Sequence, residues 1–74
     1  MVVAKKKGRS KGIMLPNLKK WRERRGLSQR ELEEKSGVGH DRISLLETGK
    51  SGAQGRTVRK LANALGVETE DLVG

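Results

Sequence analysis

The sequence predicts an all-α fold, a compact bundle of four helices plus a short fifth helix. Apolar residues recur at helical spacing, most clearly Val58, Leu61, Ala62 and Leu65 at positions i, i+3, i+4 and i+7. Glycine residues follow the apolar segments at the points where helices are expected to end. The sequence has no stretch of alternating apolar and polar residues that would indicate a strand.

Helix 1 is predicted to begin near Pro16, because the fixed φ of proline suits the first helical position. It carries Leu18 and Trp21 on one face, with Leu15 one turn earlier, and Trp21 is assigned to the core. Gly26 is expected to end the helix, since glycine accepts the left-handed conformation that follows many helices.

Helix 2 has the clearest start in the chain. Ser28 and Glu31 form an S-x-x-E capping box, in which each side chain is expected to accept the backbone N–H of the other residue. The helix is predicted to run to about residues 35–36, where Gly37 provides a left-handed exit. The acidic side chains of this helix are interpreted as a solvated face: Glu31, Glu33 and Glu34.

Helix 3 follows after a turn of only three residues, and it is predicted to begin at Gly39 or His40. Ile43 and Leu46 are expected to face the core, and Gly49 is expected to end the helix. Two short helices joined by a short turn that contains glycine form a helix-turn-helix motif.

The last two helices follow a turn-like loop. Helix 4 is predicted to start with Gln54 or Thr57 as its cap and to end at Gly66. A short turn over residues 69–73 is then expected to lay Leu72 over the core. We find no internal repeat, so one domain accounts for the folded part of the chain.

Length and composition exclude several classes of function. At 74 residues the chain has room for one modest core and little space for an enclosed ligand cavity. It has no cysteine and a single histidine, which argues against a zinc site, a disulfide framework and a nucleophile–base pair. No apolar run approaches the roughly 20 residues that cross a bilayer. We therefore predict no enzymatic activity, no metal, no cofactor and no membrane partner.

The net charge of +8 is concentrated at the front of the chain. Residues 1–12 combine glycine and serine with basic residues and no acidic ones, and we interpret them as a flexible basic arm or a leftover of cloning. The folded domain is assigned to residues 13–74. A cationic segment of this kind favours a polyanion as partner. The basic residues of the arm are Lys5, Lys6, Lys7, Arg9 and Lys11.

A family resemblance rests on residues 26–50, which read GLSQRELEEKSGVGHDRISLLETGK, and on residues 57–67, which read TVRKLANALGV. The first stretch resembles the helix-turn-helix of the lambda-repressor-like (Cro/Xre) family, and the second is similar to that family's fourth helix and the turn after it. The likeness covers residues 15–73. It implies a five-helix bundle, in agreement with the helix count from spacing, and binding to double-stranded DNA.

The resemblance also implies which residues meet DNA. Helix 3, at residues 39–48, is expected to lie in the major groove as the recognition helix. Arg22 and Glu47 match a family pair that forms a salt bridge between helices 1 and 3 and orients the recognition helix. The residues expected to contact base edges are Gly39, His40, Asp41, Ser44 and Leu45. Those expected to contact the DNA backbone are Gln29, Arg42, Lys50 and Ser51.

The start of the recognition helix departs from the family pattern. Family members usually open this helix with Ser, Thr, Gln or Arg, whereas this chain has Gly39, His40 and Asp41. Phosphates repel Asp41 unless its carboxylate accepts a hydrogen bond from a cytosine amino group. His40 can donate to guanine, and Leu45 can meet either a thymine methyl group or a protein partner.

We interpret the chain as a sequence-specific transcriptional regulator that binds DNA as a homodimer, with repression favoured over activation. Its expected location is the cytoplasm, where DNA binding associates it with the nucleoid. Two alternatives stay open. The first alternative is a protein-interaction module built on the same fold, with an unknown partner. The second is the DNA-binding part of an antitoxin or of a larger ligand-sensing regulator.

Overall fold

The computed structural model describes residues 12–74, and this part of the chain contains five α-helices and no strand. The helices are α1 (Leu18–Arg24), α2 (Gln29–Ser36), α3 (His40–Glu47), α4 (Gly55–Leu65) and α5 (Thr69–Val73). The predicted all-α bundle of four helices plus a short fifth is therefore confirmed. Residues 1–11 of the predicted basic arm lie outside the described residues, whereas its last residue, Gly12, lies within them.

The core is built from aliphatic side chains of all five helices and of the segments between them. α4 contributes the largest share, with four buried residues: Val58, Leu61, Ala62 and Leu65. The other buried apolar residues are Leu15, Leu18, Leu32, Val38, Ile43, Leu46, Ala53 and Leu72. Helices of 5 to 11 residues are not stable alone in water, so each depends on the side chains it buries against the others.

Trp21 lies at the edge of the core, so its assignment to the core is only partly correct. Its ring is half-buried and packs against the aliphatic cluster. The indole Nε1 donates a hydrogen bond of 3.2 Å to the backbone carbonyl of Asp71, which fastens α1 to α5. The guanidinium groups of Arg24 and Arg25 lie 5.3 and 5.4 Å from the ring centroid, within the range of a cation–π contact.

α1 begins later than predicted. Its first residue is Leu18, with Asn17 at the N-cap, and not Pro16. Leu18 donates its N–H to the carbonyl of Leu15 at 3.2 Å, and Asn17 donates its N–H to the carbonyl of Leu72 at 3.2 Å. The residues around Pro16 therefore form a turn against α5, which is the other local structure that proline favours.

α1 and α3 end two residues before the glycines that were predicted to stop them. Their last helical residues are Arg24 and Glu47. Gly26 and Gly49 follow with left-handed φ angles of +71° and +76°. In both helices one residue in right-handed conformation separates the helix end from the glycine, which therefore lies one position beyond the C-cap.

An antiparallel bridge, absent from the sequence prediction, joins the front of the described chain to the loop between α3 and α4. Ile13 and Ala53 exchange two backbone hydrogen bonds, of 2.7 and 2.8 Å. Gly12 precedes the bridge with a φ of +76°, and a Cβ atom there would lie 2.9 Å from backbone atoms of Gly52 and Ala53. Position 12 therefore requires glycine, both for its conformation and for its space.

The capping box at the start of α2 is confirmed. The N–H of Glu31 donates to Ser28 Oγ at 3.0 Å, and the N–H of Ser28 donates to Glu31 Oε1 at 2.7 Å. The backbone N–H of Ser28, together with its hydroxyl, lowers the pKa of Glu31 below its usual range. The box therefore links the stability of α2 to pH.

We expect Glu31→Gln to make the protein less sensitive to acid. The unfolded chain binds the Glu31 proton at a higher pH than the folded chain does. The ionised carboxylate therefore adds stability above its ordinary pKa, and this stability is lost as the pH falls through the lowered value. Glutamine keeps the side-chain oxygen of the box but does not titrate.

Urea unfolding followed by far-UV circular dichroism between about pH 3 and pH 7 measures this effect. Glu34→Gln removes the same charge from the exposed surface of α2 and serves as the matched control. Equal acid sensitivity in the two variants would contradict the role given to the capping box.

Candidate nucleic-acid interface

α3 turns one face to the core and the opposite face to solvent. Ile43 and Leu46 are buried. On the outer face the side chain of Asp41 is 95% exposed, and Leu45 is 42% exposed. One acidic and one aliphatic side chain of the outer face are therefore accessible to a binding partner without any rearrangement of α3. The other predicted contacts on α3 and at its cap are the exposed Gly39 and Arg42 and the half-buried Ser44.

The turn between α2 and α3 is held by local hydrogen bonds and by one buried side chain. Gly37 ends α2 with a φ of +79°, and Gly39 is the N-cap of α3. Ser36 Oγ donates to the carbonyl of Leu32 at 2.7 Å and accepts the N–H of Val38 at 3.1 Å. Because Val38 is buried, the middle of the turn is anchored in the core. These contacts give α2, the turn and α3 the form of a helix-turn-helix.

Glu47, at the end of α3, is held by side chains from two other helices. Arg22 of α1 donates from Nε to Glu47 Oε2 at 2.5 Å and from Nη2 to Oε1 at 3.2 Å. Gln29, at the start of α2, donates from Nε2 to Oε1 at 3.0 Å. Arg22 also donates from Nη1 to the carbonyl of Leu27 at 2.7 Å. We call Arg22, Gln29 and Glu47 the Glu47 clamp, because one carboxylate ties α1, α2 and α3 together.

The ion pair of the Glu47 clamp is largely withdrawn from solvent. The side chain of Arg22 is 12% exposed and that of Glu47 is 4% exposed. The hydrogen bond to Glu47 raises the pKa of Arg22 above its ordinary value. Removing one partner of such a pair leaves an uncompensated charge in the protein, which costs about 3–5 kcal/mol.

Glu33 does not lie on a purely solvated face, contrary to its interpretation from the sequence. Its Oε1 lies 2.8 Å from His40 Nδ1, across the turn between α2 and α3. This hydrogen bond lowers the pKa of Glu33 below its usual range. His40 Nε2 in turn lies 3.3 Å from Asp41 Oδ1. No spacing rule finds the Glu33–His40 contact, because Gly37 interrupts the helical repeat between them.

The loop after α3 carries the last two predicted contacts with the DNA backbone. Lys50 is exposed, whereas Ser51 is half-buried. The bridge between Ile13 and Ala53 joins the front of the described chain to this same loop. The predicted arm contacts lie outside the described residues: Lys5, Lys6, Lys7, Arg9 and Lys11.

Comparison with known sequences identifies the family. A family model described as helix-turn-helix matches residues 18–72, from the first residue of α1 into α5. The chain belongs to the Cro/C1-type, lambda-repressor-like helix-turn-helix family. The resemblance stated from residues 26–50 and 57–67 is therefore confirmed. A search of curated proteins gives no match.

Family membership gives the general class of function. The family consists of DNA-binding regulatory domains and is not typically enzymatic, so at the level of the family this chain is a DNA-binding transcription regulator. No helix over residues 12–74 has the length and apolar character that a membrane span requires. Within the same residues, no three His, Cys, Asp or Glu side chains gather where they could hold a metal ion.

We expect Arg22→Met to lower the free energy of unfolding by about 3 kcal/mol, because Glu47 then stays nearly buried without its cationic partner. The double variant Arg22→Met with Glu47→Gln is expected to recover most of this loss, since no uncompensated charge remains. Urea unfolding near neutral pH measures both values.

Lys20→Met is the control for this prediction, because it removes a positive charge from an exposed position of α1. Its effect is expected to stay within about 0.5 kcal/mol. A double variant that is less stable than the single Arg22→Met variant would contradict the account of the Glu47 clamp.

Proposed function

We propose that this protein is a sequence-specific transcriptional regulator that binds double-stranded DNA with α3 in the major groove and acts as a repressor. The observation that carries the proposal is the Glu47 clamp, which holds α3 against α1 and α2 while its outer face stays exposed. Hydrogen bonds to base edges need a recognition helix held in one orientation. Family membership supports DNA binding.

In this proposal, the outer face of α3 reads the bases. With its ring protonated, His40 donates to guanine, while Asp41 accepts from the amino group of cytosine and Leu45 contacts a thymine methyl group. The exposure of Asp41 and Leu45 supports these roles. The other proposed base contacts are Gly39 and Ser44, and the proposed backbone contacts are Gln29, Arg42, Lys50 and Ser51.

We also infer that the protein binds as a homodimer to two half-sites about one helical turn of DNA apart, as proteins with this motif do. Residues 1–12 act as a basic arm that follows phosphates or the minor groove, and residues 13–74 form the DNA-binding domain. The protein is then expected in the cytoplasm, associated with the nucleoid.

A second candidate function is a protein-interaction module on the same fold. Two exposed residues favour it, since the Asp41 carboxylate repels phosphates and Leu45 is the kind of side chain that protein interfaces bury. Loss of DNA affinity in Leu45→Ala counts against this candidate. A change in self-association with unchanged DNA affinity counts for it.

Selection from a pool of random DNA duplexes at near-physiological salt tests the proposed function. We expect an enriched palindrome whose half-sites lie about 10 base pairs apart. Asp41→Ala is expected to relax the preference for cytosine at one position of each half-site by about tenfold, because a base contact of this kind discriminates by about 1–3 kcal/mol.

Glu70→Ala is the matched control, since it removes the same charge from an exposed position on α5. Its selected motif is expected to equal that of the unmodified protein. If no motif is enriched and weak binding disappears with added salt, the contact with DNA is electrostatic only and the proposed function is wrong.

Deletion of residues 1–11 tests the basic arm. If its five basic side chains all contact phosphates, the deletion flattens the slope of log affinity against log salt by roughly 4–5 units. The slope is measured by fluorescence anisotropy on the selected duplex across a series of salt concentrations. An unchanged slope would show that the arm does not contact DNA.

A further inference from the structure

The ring of His40 has a carboxylate at each of its two nitrogens. Glu33 Oε1 lies 2.8 Å from Nδ1, and Asp41 Oδ1 lies 3.3 Å from Nε2. The Glu33 side chain comes from α2 and is 39% exposed, whereas the Asp41 side chain is 95% exposed. The contact at Nδ1 is therefore the shorter and the better shielded of the two.

The Glu33 contact decides where the proton sits when the ring is neutral. A neutral imidazole carries one N–H and a lone pair on the other nitrogen. The shorter hydrogen bond, to the less exposed of the two carboxylates, is the stronger one, so Nδ1 keeps the proton. Nε2 is then left with its lone pair. The His40 hydrogen bond lowers the pKa of Glu33 below its usual range, so the contact favours the ionised carboxylate.

We propose that Glu33 is a positioning residue that sets the hydrogen-bonding role of His40 Nε2 and, through it, the base that α3 selects. This inference rests on the proposed function. In the neutral ring Nε2 accepts a hydrogen bond, which suits the amino group of adenine or cytosine. In the protonated ring Nε2 donates, which suits O6 or N7 of guanine.

The base preference at this position therefore depends on whether the imidazole ring is neutral or protonated. The charged groups that the structure places around the pair come from two helices. α2 supplies Glu33 and Arg30, whose positive charge acts on the Glu33 carboxylate, and α3 supplies Asp41. Since Asp41 is almost fully exposed, its side chain is free to turn away and leave Nε2 to a base.

Selection from a pool of random DNA duplexes at about pH 5.5 and about pH 8 tests the inference. Three full-length proteins are compared: the unmodified protein, Glu33→Ala and Glu34→Ala. The unmodified protein and Glu34→Ala are expected to favour guanine at the lower pH and adenine or cytosine at the higher pH, each by about tenfold. In Glu33→Ala the neutral ring carries its proton on Nε2, beside Asp41. Guanine is therefore expected at both pH values.

Glu34→Ala controls for the charge removed from α2, which affects phosphate binding in both variants.

A second measurement needs no DNA. His40 is the single histidine of the chain, so the ¹⁵N resonances of its ring are assigned directly and report which nitrogen carries the proton. At about pH 8 we expect Nδ1–H in the unmodified protein and in Glu34→Ala, and Nε2–H in Glu33→Ala.

Two results would overturn the inference. The first is a Glu33→Ala motif that matches the unmodified motif at both pH values in a variant with an unchanged circular dichroism spectrum. The second is Nε2–H in the neutral ring of the unmodified protein. If the unmodified protein enriches no motif, the proposed function fails, and the ring resonances alone decide whether Glu33 fixes the proton.

Discussion

The arrangement of the first three helices depends on the carboxylate of Glu47. α3 has eight residues and buries only Ile43 and Leu46, so few apolar contacts hold this short helix against the core. Directional hydrogen bonds from Arg22 and Gln29 add a constraint on its orientation. A buried ion pair adds little net stability relative to apolar side chains of the same size. We infer that the Glu47 clamp fixes the orientation of α3, while α4 and the aliphatic core supply most of the stability.

Much of the fold follows from local signals, and so the sequence predicts it well. Ser28 and Glu31 define the start of α2 by themselves, and the spacing of apolar residues in α4 places its buried face. The start of α1 was misplaced because Pro16 suits a turn as well as a helix. The deciding hydrogen bond is donated by the N–H of Asn17 to the carbonyl of Leu72, more than 50 residues away. The bridge of Ile13 with Ala53 was missed because its two residues lie far apart in the sequence. A single bridged pair also leaves no alternating pattern of apolar and polar residues.

The candidate site contains one contact that the family resemblance predicted and one that only the structure shows. The pairing of Arg22 with Glu47 came from the family resemblance, because no local rule relates residues 25 positions apart. Neither a local sequence rule nor the family resemblance predicted the contact of Glu33 with His40. Residues seven positions apart share a face only in an unbroken helix, and the left-handed Gly37 breaks this one. The family pattern is silent as well, because His40 stands where this chain departs from it. The part of the site that is particular to this protein is therefore the part that needs the structure.

The front of the described chain and its last helix border the same groove. Ile13, fixed by its bridge, lines this groove together with Thr69 and Val73 of α5 and with residues of α4. Domains whose two ends lie close together tolerate circular permutation and insertion into a host protein. A short peptide from α5 back to Gly12 would close this domain into a ring. The helix-turn-helix is therefore suited to being grafted whole into a surface loop of another protein.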